Sequence, residues 1–506
     1  MKKYYAAIVS VLFLATGAVC AQVDKVSLGD AHKGTLEIEL RMMNEFVPQP
    51  KEAMDFYAAC REAMVGSNPK ADVAEVCRKY QRDKIGGPML GAVAENSVKV
   101  WMHLPELGTI RVVLKPEGDG PEREFSSGTP SEFPLVRCDG LSADQAYSYR
   151  VLAENGGLLG SGRFTTPPTT AGTPFKIAFG CDFHKIGLHR PELMELIRER
   201  GNRAVLLGGD LAVDDRRADL GLVQADYMAR DLSPFWQKLA ANVPVFATWD
   251  DHDYFADDAF GTTYHGKPIP VADLRRIWEE EWNNPEPAVP GEGIYFQTRI
   301  GPVQVIMLDT RSCRVAEQRG QLNSFLGAPQ MAWLKQTLAA SDAPFILLSS
   351  GTMWSDAISD GKDSWGTWDR AGREEIFRAL DAKTNSRVLL LSGDRHGARG
   401  FTIPRPEGKK FYEVEVGSLG GVPGPAAMAP DARDQLFGYQ GKDFWAFAEF
   451  QFEMVGGAPQ ITARLINEKG VELQSVIANG RSTPGAKQTN DAAIVPMKAT
   501  KKAAQE

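Results

Sequence analysis

The chain has 506 residues, 43% of them hydrophobic and 24% charged, with a net charge of −8. This is enough apolar material for large cores and about two or three domains. The acidic balance leaves no basic footprint for nucleic acid, and no run beyond the first residues is long and apolar enough to span a bilayer.

Residues 1–21, MKKYYAAIVSVLFLATGAVCA, are predicted to be a signal peptide. Lys2 and Lys3 form the positive region, Ala6 to Ala15 the short apolar core, and Val19-Cys20-Ala21 the small-residue cleavage site. The expected location is periplasmic or extracellular. Lipid attachment at Cys20 is the alternative, and the bulky Val19 before it weighs against that. Residues 22–85 follow a helical pattern. Cys60 and Cys77 flank a turn signal between two helical stretches, so a disulfide clamping a helical hairpin is expected. Cys138, Cys181 and Cys313 remain, an odd number, with buried inert thiols as the default.

From 86 to 170 the texture becomes alternating, as in SVKVWMHL and TIRVVLK, which predicts a small antiparallel β-sandwich of immunoglobulin or fibronectin III type. Trp101 is expected on its inner face. TTPPTTAGTP (165–174) reads as a linker. Residues 175–480 are predicted to form one α/β domain, and 481–506, polar and rich in Ala and Lys, a disordered tail.

Six short apolar runs organise the third segment: KIAFGCDFH, AVLLGGD, VPVFATWDDHD, VQVIMLDTR, FILLSSGTMW and RVLLLSGDRH. Each reads as a buried strand bounded by turn residues. Most of them stop on carboxylate, imidazole or guanidinium groups, which brings those groups to a common sheet edge. Residues 255–293 interrupt the alternation, with Trp278 and Trp282 inside them. This insertion is read either as a lid or as a packed surface excursion.

Asp182, His184, Asp210, Asp251, Asp394 and His396 offer mixed nitrogen and oxygen ligands suited to Fe, Mn, Zn or Co, with Ca or Mg possible at the carboxylate-rich side. One cation would leave most of these acids uncompensated. Two cations about 3.5 to 4 Å apart, bridged by one carboxylate, would use them all.

At these motifs the chain resembles the PhoD-like alkaline phosphatases and phosphodiesterases, a family of the calcineurin-like metallophosphoesterases. WDDHDY followed by ADDAF is similar to its signature, and LDTR, PQMAWL, SSGT and SGDRHGA are similar to its later blocks, over about residues 87–460. The resemblance implies two sheets flanked by helices, preceded by a small all-β domain. It also implies a secreted hydrolase that cleaves phosphate mono- or diesters, small-molecule substrates, by attack of a hydroxide held at a binuclear metal centre. Asp210 would bridge the metals, Asp251 would bind one of them, and Asp394 and His396 would bind from the last loop. His252 would serve as general acid or transition-state donor, oriented by an acid such as Asp253. Asp309 and Arg311 would face phosphate or brace their loop, bracing being favoured. Arg311 and Arg395 are the candidate phosphate contacts.

Two positions depart from the family pattern. A cysteine that binds iron is common at the first strand end, where this chain has Asp182 with Cys181 one step earlier, and Val213 stands where a tyrosine is usual. The departures leave the metal pair as Fe, Mn, Zn or Ca, and leave open whether Cys181 or Asp182 is the ligand. A specialised phosphodiesterase or nucleotidase, with 255–293 selecting the substrate, is the alternative within enzymes. A non-catalytic binding protein on the same fold is the alternative outside them, and the intact set of strand-end ligands together with His252 counts against it.

Overall fold

The computed structural model describes residues 25–217, 219–358 and 363–478. The expected signal peptide and the expected disordered tail lie outside these residues. Among the described residues, no helix is long and apolar enough to cross a membrane.

Two large sheets face one another across one core. The nine-stranded sheet has at its centre Phe175–Gly180, Val205–Leu207 and Val245–Ala247, which pair in parallel. The seven-stranded sheet has Val303–Met307, Phe345–Ser349, Arg387–Ser392 and Lys410–Val416, also parallel. These are the strands expected from the apolar runs, with Lys410–Val416 added. The runs do not alternate with polar residues because both faces of each strand are buried, as parallel sheets require. Val303, Val305 and Met307 enter the core between the sheets, whereas Ile306 and Leu308 pack against the helices outside. The same alternation places Phe179 and Leu206 inward and Ala178, Val205 and Leu207 outward.

Helices cover the two outer faces. Pro191–Glu199 begins on proline, whose fixed φ suits the first turn, and buries Leu193, Met194 and Ile197 on one side. Leu220–Leu232 is capped by Asp219, whose carboxylate accepts the Leu222 N–H at 3.0 Å. Gly327–Ala340 and Arg370–Asp381 cover the second sheet. The result is a helix, sheet, sheet, helix layering.

A four-stranded sheet, ordered Arg123–Ser126, Ile110–Pro116, Ala146–Ala153 and Leu158–Thr165, packs on Gly86–Ala94, Ser97–His103 and Leu135–Asp139. These last three strands extend the nine-stranded sheet, joined to it by the parallel register Gly91↔Val245. The small sandwich therefore shares a sheet and a core with the larger unit. Trp101 is buried but faces the opposite way from the expectation. Val98, Val100 and Met102 take the sandwich side, and Trp101 points to the helical side, where its Nε1 donates to the Glu280 carbonyl at 2.8 Å.

The N-terminal helices Leu36–Glu45, Lys51–Met64 and Pro69–Lys79 dock on Leu220–Leu232 through Phe56, Tyr57, Met64, Ala225 and Met228. Cys60 and Cys77 are both buried in this packing as free thiols, not as the disulfide the spacing suggested. In the 255–293 insertion, the helix Val271–Glu281 buries Leu274, Ile277 and Trp278, and Trp278 packs at 5.3 Å against the tilted ring of Trp282 and edge-on at 5.5 Å against Trp249. That portion is packed wall rather than lid. Replacing Trp278 by Ala is expected to cost about 3–5 kcal/mol of unfolding free energy, the range for emptying a buried aromatic site. Urea denaturation checks this, and a loss below about 1 kcal/mol would show the helix to be loosely held.

Candidate metal centre

Asp182 and His184 follow the strand Phe175–Gly180, and Asp210 follows Val205–Leu207. Their loops are stitched by backbone bonds: Asp182 N–H to Gly209 O at 2.9 Å and His184 N–H to Asp210 O at 3.1 Å. Asp182, His184, Asp210, Asp394 and His396 all adopt left-handed backbone, with φ of 60°, 47°, 54°, 72° and 39°. Each such residue costs roughly 1–2 kcal/mol outside glycine, and clustered strain of this kind marks functional loops. Two glycines make the approach possible. At Gly209, φ is +120° and a Cβ would meet the Asp250 Cβ at 2.5 Å. At Gly417, a Cβ would meet the Asp182 Oδ2 at 2.6 Å.

Donor atoms of Asp182, His184, Asp210 and His396 converge within 4.8 Å of one another. The His184 Nε2 lies 3.7 Å from Asp182 and 3.9 Å from Asp210, and the His396 Nε2 lies 3.6 Å from Asp182. The two Nε2 atoms are 3.0 Å apart. Outside the cluster, the His184 Nδ1 meets Asp214 at 3.2 Å and the His396 Nδ1 meets the Pro423 carbonyl at 3.2 Å. Each Nδ1 thus faces an outer acceptor while both Nε2 atoms face the same place, the arrangement of imidazoles that share a cation.

A second group, Asp250, Asp251 and Asp394, converges beside the first, and Asp210, Asp251 and His252 form a group that links the two. Buried carboxylate oxygens without hydrogen-bond partners gather here: both of Asp182, Oδ2 of Asp250, Oδ1 of Asp251 and Oδ2 of Asp394. Unpartnered buried carboxylate oxygens are costly unless a cation meets them. The donor set therefore fits metal ions.

Electrostatics give the same picture. Burial, followed by the charge of Asp251, holds the Asp210 carboxyl well above its usual range, and burial with neighbouring aspartates does the same to Asp394. Burial pushes Asp250 up to about 7 against the pull of Arg311. Asp251 goes the other way: Arg311 and His252 overcome its burial and hold it below the ordinary value. Burial lowers His396 to about 4. In His184, Asp182 and Asp214 outweigh burial and raise the imidazole to about 9. So many acids cannot all ionise without added positive charge.

Arg311 is fully buried within this group. It bonds Asp250 through Nε and lies 2.9 Å from Asp363 and 3.5 Å from both Asp251 and Asp394. This matches the bracing reading. Asp309 braces as well, accepting from Trp249 Nε1 at 2.9 Å, Ser312 N–H at 3.0 Å and Arg311 N–H at 3.1 Å. Arg395 lies partly exposed at the edge, 3.8 Å from Asp394.

His252 and Asp253 do not form the expected pair. Asp251–Tyr254 is a helical turn, which carries the Asp253 side chain away from the His252 ring. Asp253 accepts from the N–H groups of Leu211 at 2.9 Å and Ala212 at 3.2 Å and braces that loop. The orienting acid is Asp215, whose Oδ1 meets the His252 Nδ1 at 2.7 Å. His32, from the N-terminal segment, stacks on His252 at 4.7 Å and lies 3.6 Å from Asp215. Sequence reading missed His32, Asp214, Asp215, Asp250 and Asp363. The acidic pairs 214–215 and 250–251 were visible signals, whereas His32 and Asp363 lie far along the chain with no motif.

Cys181 points into the core between the sheets, its thiol 3.8 Å from the Ser392 carbonyl, and burial raises its pKa well above the usual value. Asp182 faces the imidazoles. Val213 is buried among apolar side chains.

Residues 223–435 match the family described as PhoD-like phosphatase, and residues 83–170 match one described as Domain of unknown function (DUF7800). A solved structure of PhoD shares the fold, with a TM-score of 0.58 at 17% identity over 79% of this chain and 93% of that one. A dimetal phosphatase from Danio rerio is similar at a TM-score of 0.39 and 12% identity, over 61% of this chain and 99% of that one. No curated protein matches.

Because Cys181 faces the core, Cys181→Ala is expected to leave metal content and the visible spectrum unchanged. Loss of a metal, or of a charge-transfer band, from this variant on elemental and absorption analysis would make the thiolate the ligand instead of Asp182.

Proposed function

As a member of the PhoD-like phosphatase family, and so a metal-dependent phosphoric ester hydrolase, this chain, we propose, cleaves phosphate mono- or diesters at a centre of two metal ions. The observation that carries this is the position of Asp210. It belongs both to the group with Asp182, His184 and His396 and to the group with Asp251 and His252. One ion would be held by Asp182, His184, Asp210 and His396. The other would be held by Asp210, Asp251 and Asp394, with Asp250 beside them. The nitrogen-containing set suits Fe, Mn or Zn, and the all-oxygen set accepts Ca as well. Bound there, the ions would supply an activated water and neutralise phosphate oxygens.

The remaining chemistry falls to the chain's own groups. Asp215 fixes His252 through Nδ1, which leaves the other ring nitrogen to give a proton to the departing alcohol oxygen. Arg311 holds the carboxylates of Asp250, Asp251 and Asp394 in register and offsets part of their repulsion. Arg395, at the open edge, is placed to meet a phosphate oxygen. We further infer an exported enzyme, a reading that rests on the sequence of residues 1–21.

Elemental analysis of the purified protein is expected to give two metal ions per chain, and one or none would remove the two-ion reading. Asp210→Asn should lower metal content more than any other single ligand change, because it serves both ions. Equal losses across Asp182, Asp210 and Asp394 variants would take the bridging role from it. His252→Ala is expected to keep both ions and to lose roughly 10²- to 10⁴-fold in turnover, the range for a general acid, with a smaller loss for nitrophenyl esters, which leave without protonation. A missing ion in that variant would make His252 a ligand, its donor atom lying close to Asp210 and Asp251.

A further inference from the structure

A pocket of 480 Å³ opens beside His396. Its walls are largely apolar: Val26 and Leu28 from the N-terminal segment, Phe46 at the end of the helix Leu36–Glu45, Val422 and Pro423 from the loop after Lys410–Val416, and Trp445. Charges at its edge are partly cancelled, since Lys25 pairs with Asp443 at 2.8 Å. The aromatic wall is held in place. The Arg190 guanidinium lies 3.7 Å over the Trp445 ring, and Phe46 meets that ring edge-on at 6.3 Å.

The pocket is tied to the metal centre. Pro423, in its wall, accepts the hydrogen bond from the His396 Nδ1. The His396 side chain is 17% exposed, whereas Asp182 and His184 are fully enclosed. Small molecules therefore reach the first ligand group from the His396 side. Near Arg311 a smaller pocket of 170 Å³ is lined by three arginines, Asp258, Asp363, Phe260 and Trp368, so that cationic, acidic and aromatic groups share its wall.

We propose that the pocket beside His396 receives the alcohol group of the ester and selects a bulky apolar one, aryl or branched alkyl, so that the N-terminal residues 25–46 act as a specificity wall of the active site. This rests on the hydrolase reading above. In the reaction, water oxygen bonds to phosphorus, the phosphorus–oxygen ester bond breaks, and the alcohol leaves with a proton. The pocket holds the carbon body of that alcohol through the step. A volume of this size lies within the range of small-molecule sites, about 300–1,000 Å³, and a hydrophobic pocket discriminates by roughly tenfold or more per apolar group it accepts.

Methyl, benzyl and 2-naphthylmethyl phosphates test this, because their alcohols are similar leaving groups and differ in apolar bulk. The metal-loaded full chain is expected to show kcat/KM at least about tenfold higher for the naphthylmethyl ester than for the methyl ester. Leu28→Trp and Val422→Trp, one from each wall, should each lower that ratio about tenfold with metal content unchanged. Equal values for the three esters, or ratios unmoved in both variants, would overturn the proposal. Turnover of no ester by metal-loaded protein would instead count against the hydrolase reading. The pocket is then read by calorimetry with 2-naphthylmethylphosphonate: binding weakened in both Trp variants sustains it, and absent or equal binding overturns it.

Discussion

Mutual repulsion among buried carboxylates is the constraint on which this structure turns. Asp182, Asp210, Asp214, Asp250, Asp251, Asp363 and Asp394 meet where the strands of two sheets end, in a region closed to water on most sides. Such a group would drive the loops apart or take up protons unless positive charge were built in. Arg311 supplies part of it, bonded within one guanidinium to acids from three separate loops. The carboxylate oxygens it leaves unpartnered are those that added positive charge would have to meet.

The fold serves that constraint by bringing strand ends together. Parallel strands joined through helices deliver their C-terminal ends to one edge, and two such sheets packed face to face deliver two sets of ends to one line. The strain in the loops, with left-handed backbone at Asp182, His184, Asp210, Asp394 and His396, is offset by the burial beneath them, where Val303, Val305, Phe179 and Leu206 are excluded from water.

The N-terminal helical segment is part of this construction. Glu39 reaches Lys185 at 3.4 Å, and Lys185 reaches Asp226 at 2.6 Å, beneath the loop that carries His184. Arg216 bonds the carbonyls of Ala31 and His32 and pairs with Asp226 at 2.8 Å. These buried pairs anchor the segment beside the centre, so that His32 rests on His252 and Val26 and Leu28 complete a wall near His396.

The sequence by itself determined most of the central strands and the residues at their ends, whereas Lys410–Val416 and the order of strands in each sheet came from the structure. Runs such as VQVIM and RVLLLS are buried on both faces and carry no other pattern, and the acids and imidazoles that follow them are adjacent to them in the chain. Local spacing could therefore bring Asp182, His184, Asp210, Asp251, Asp394 and His396 into one list. It could not assign partners. Whether His252 is oriented by Asp253 or by Asp215 depends on a helical turn at 251–254 and on a loop about 37 residues earlier. The side of the strand taken by Cys181 or Trp101 depends on which layer lies across from it. The tertiary structure alone decided that His32 joins the site and which acids Arg311 braces. Contacts between residues hundreds of positions apart are fixed by how layers pack, and nothing in the spacing along the chain records that.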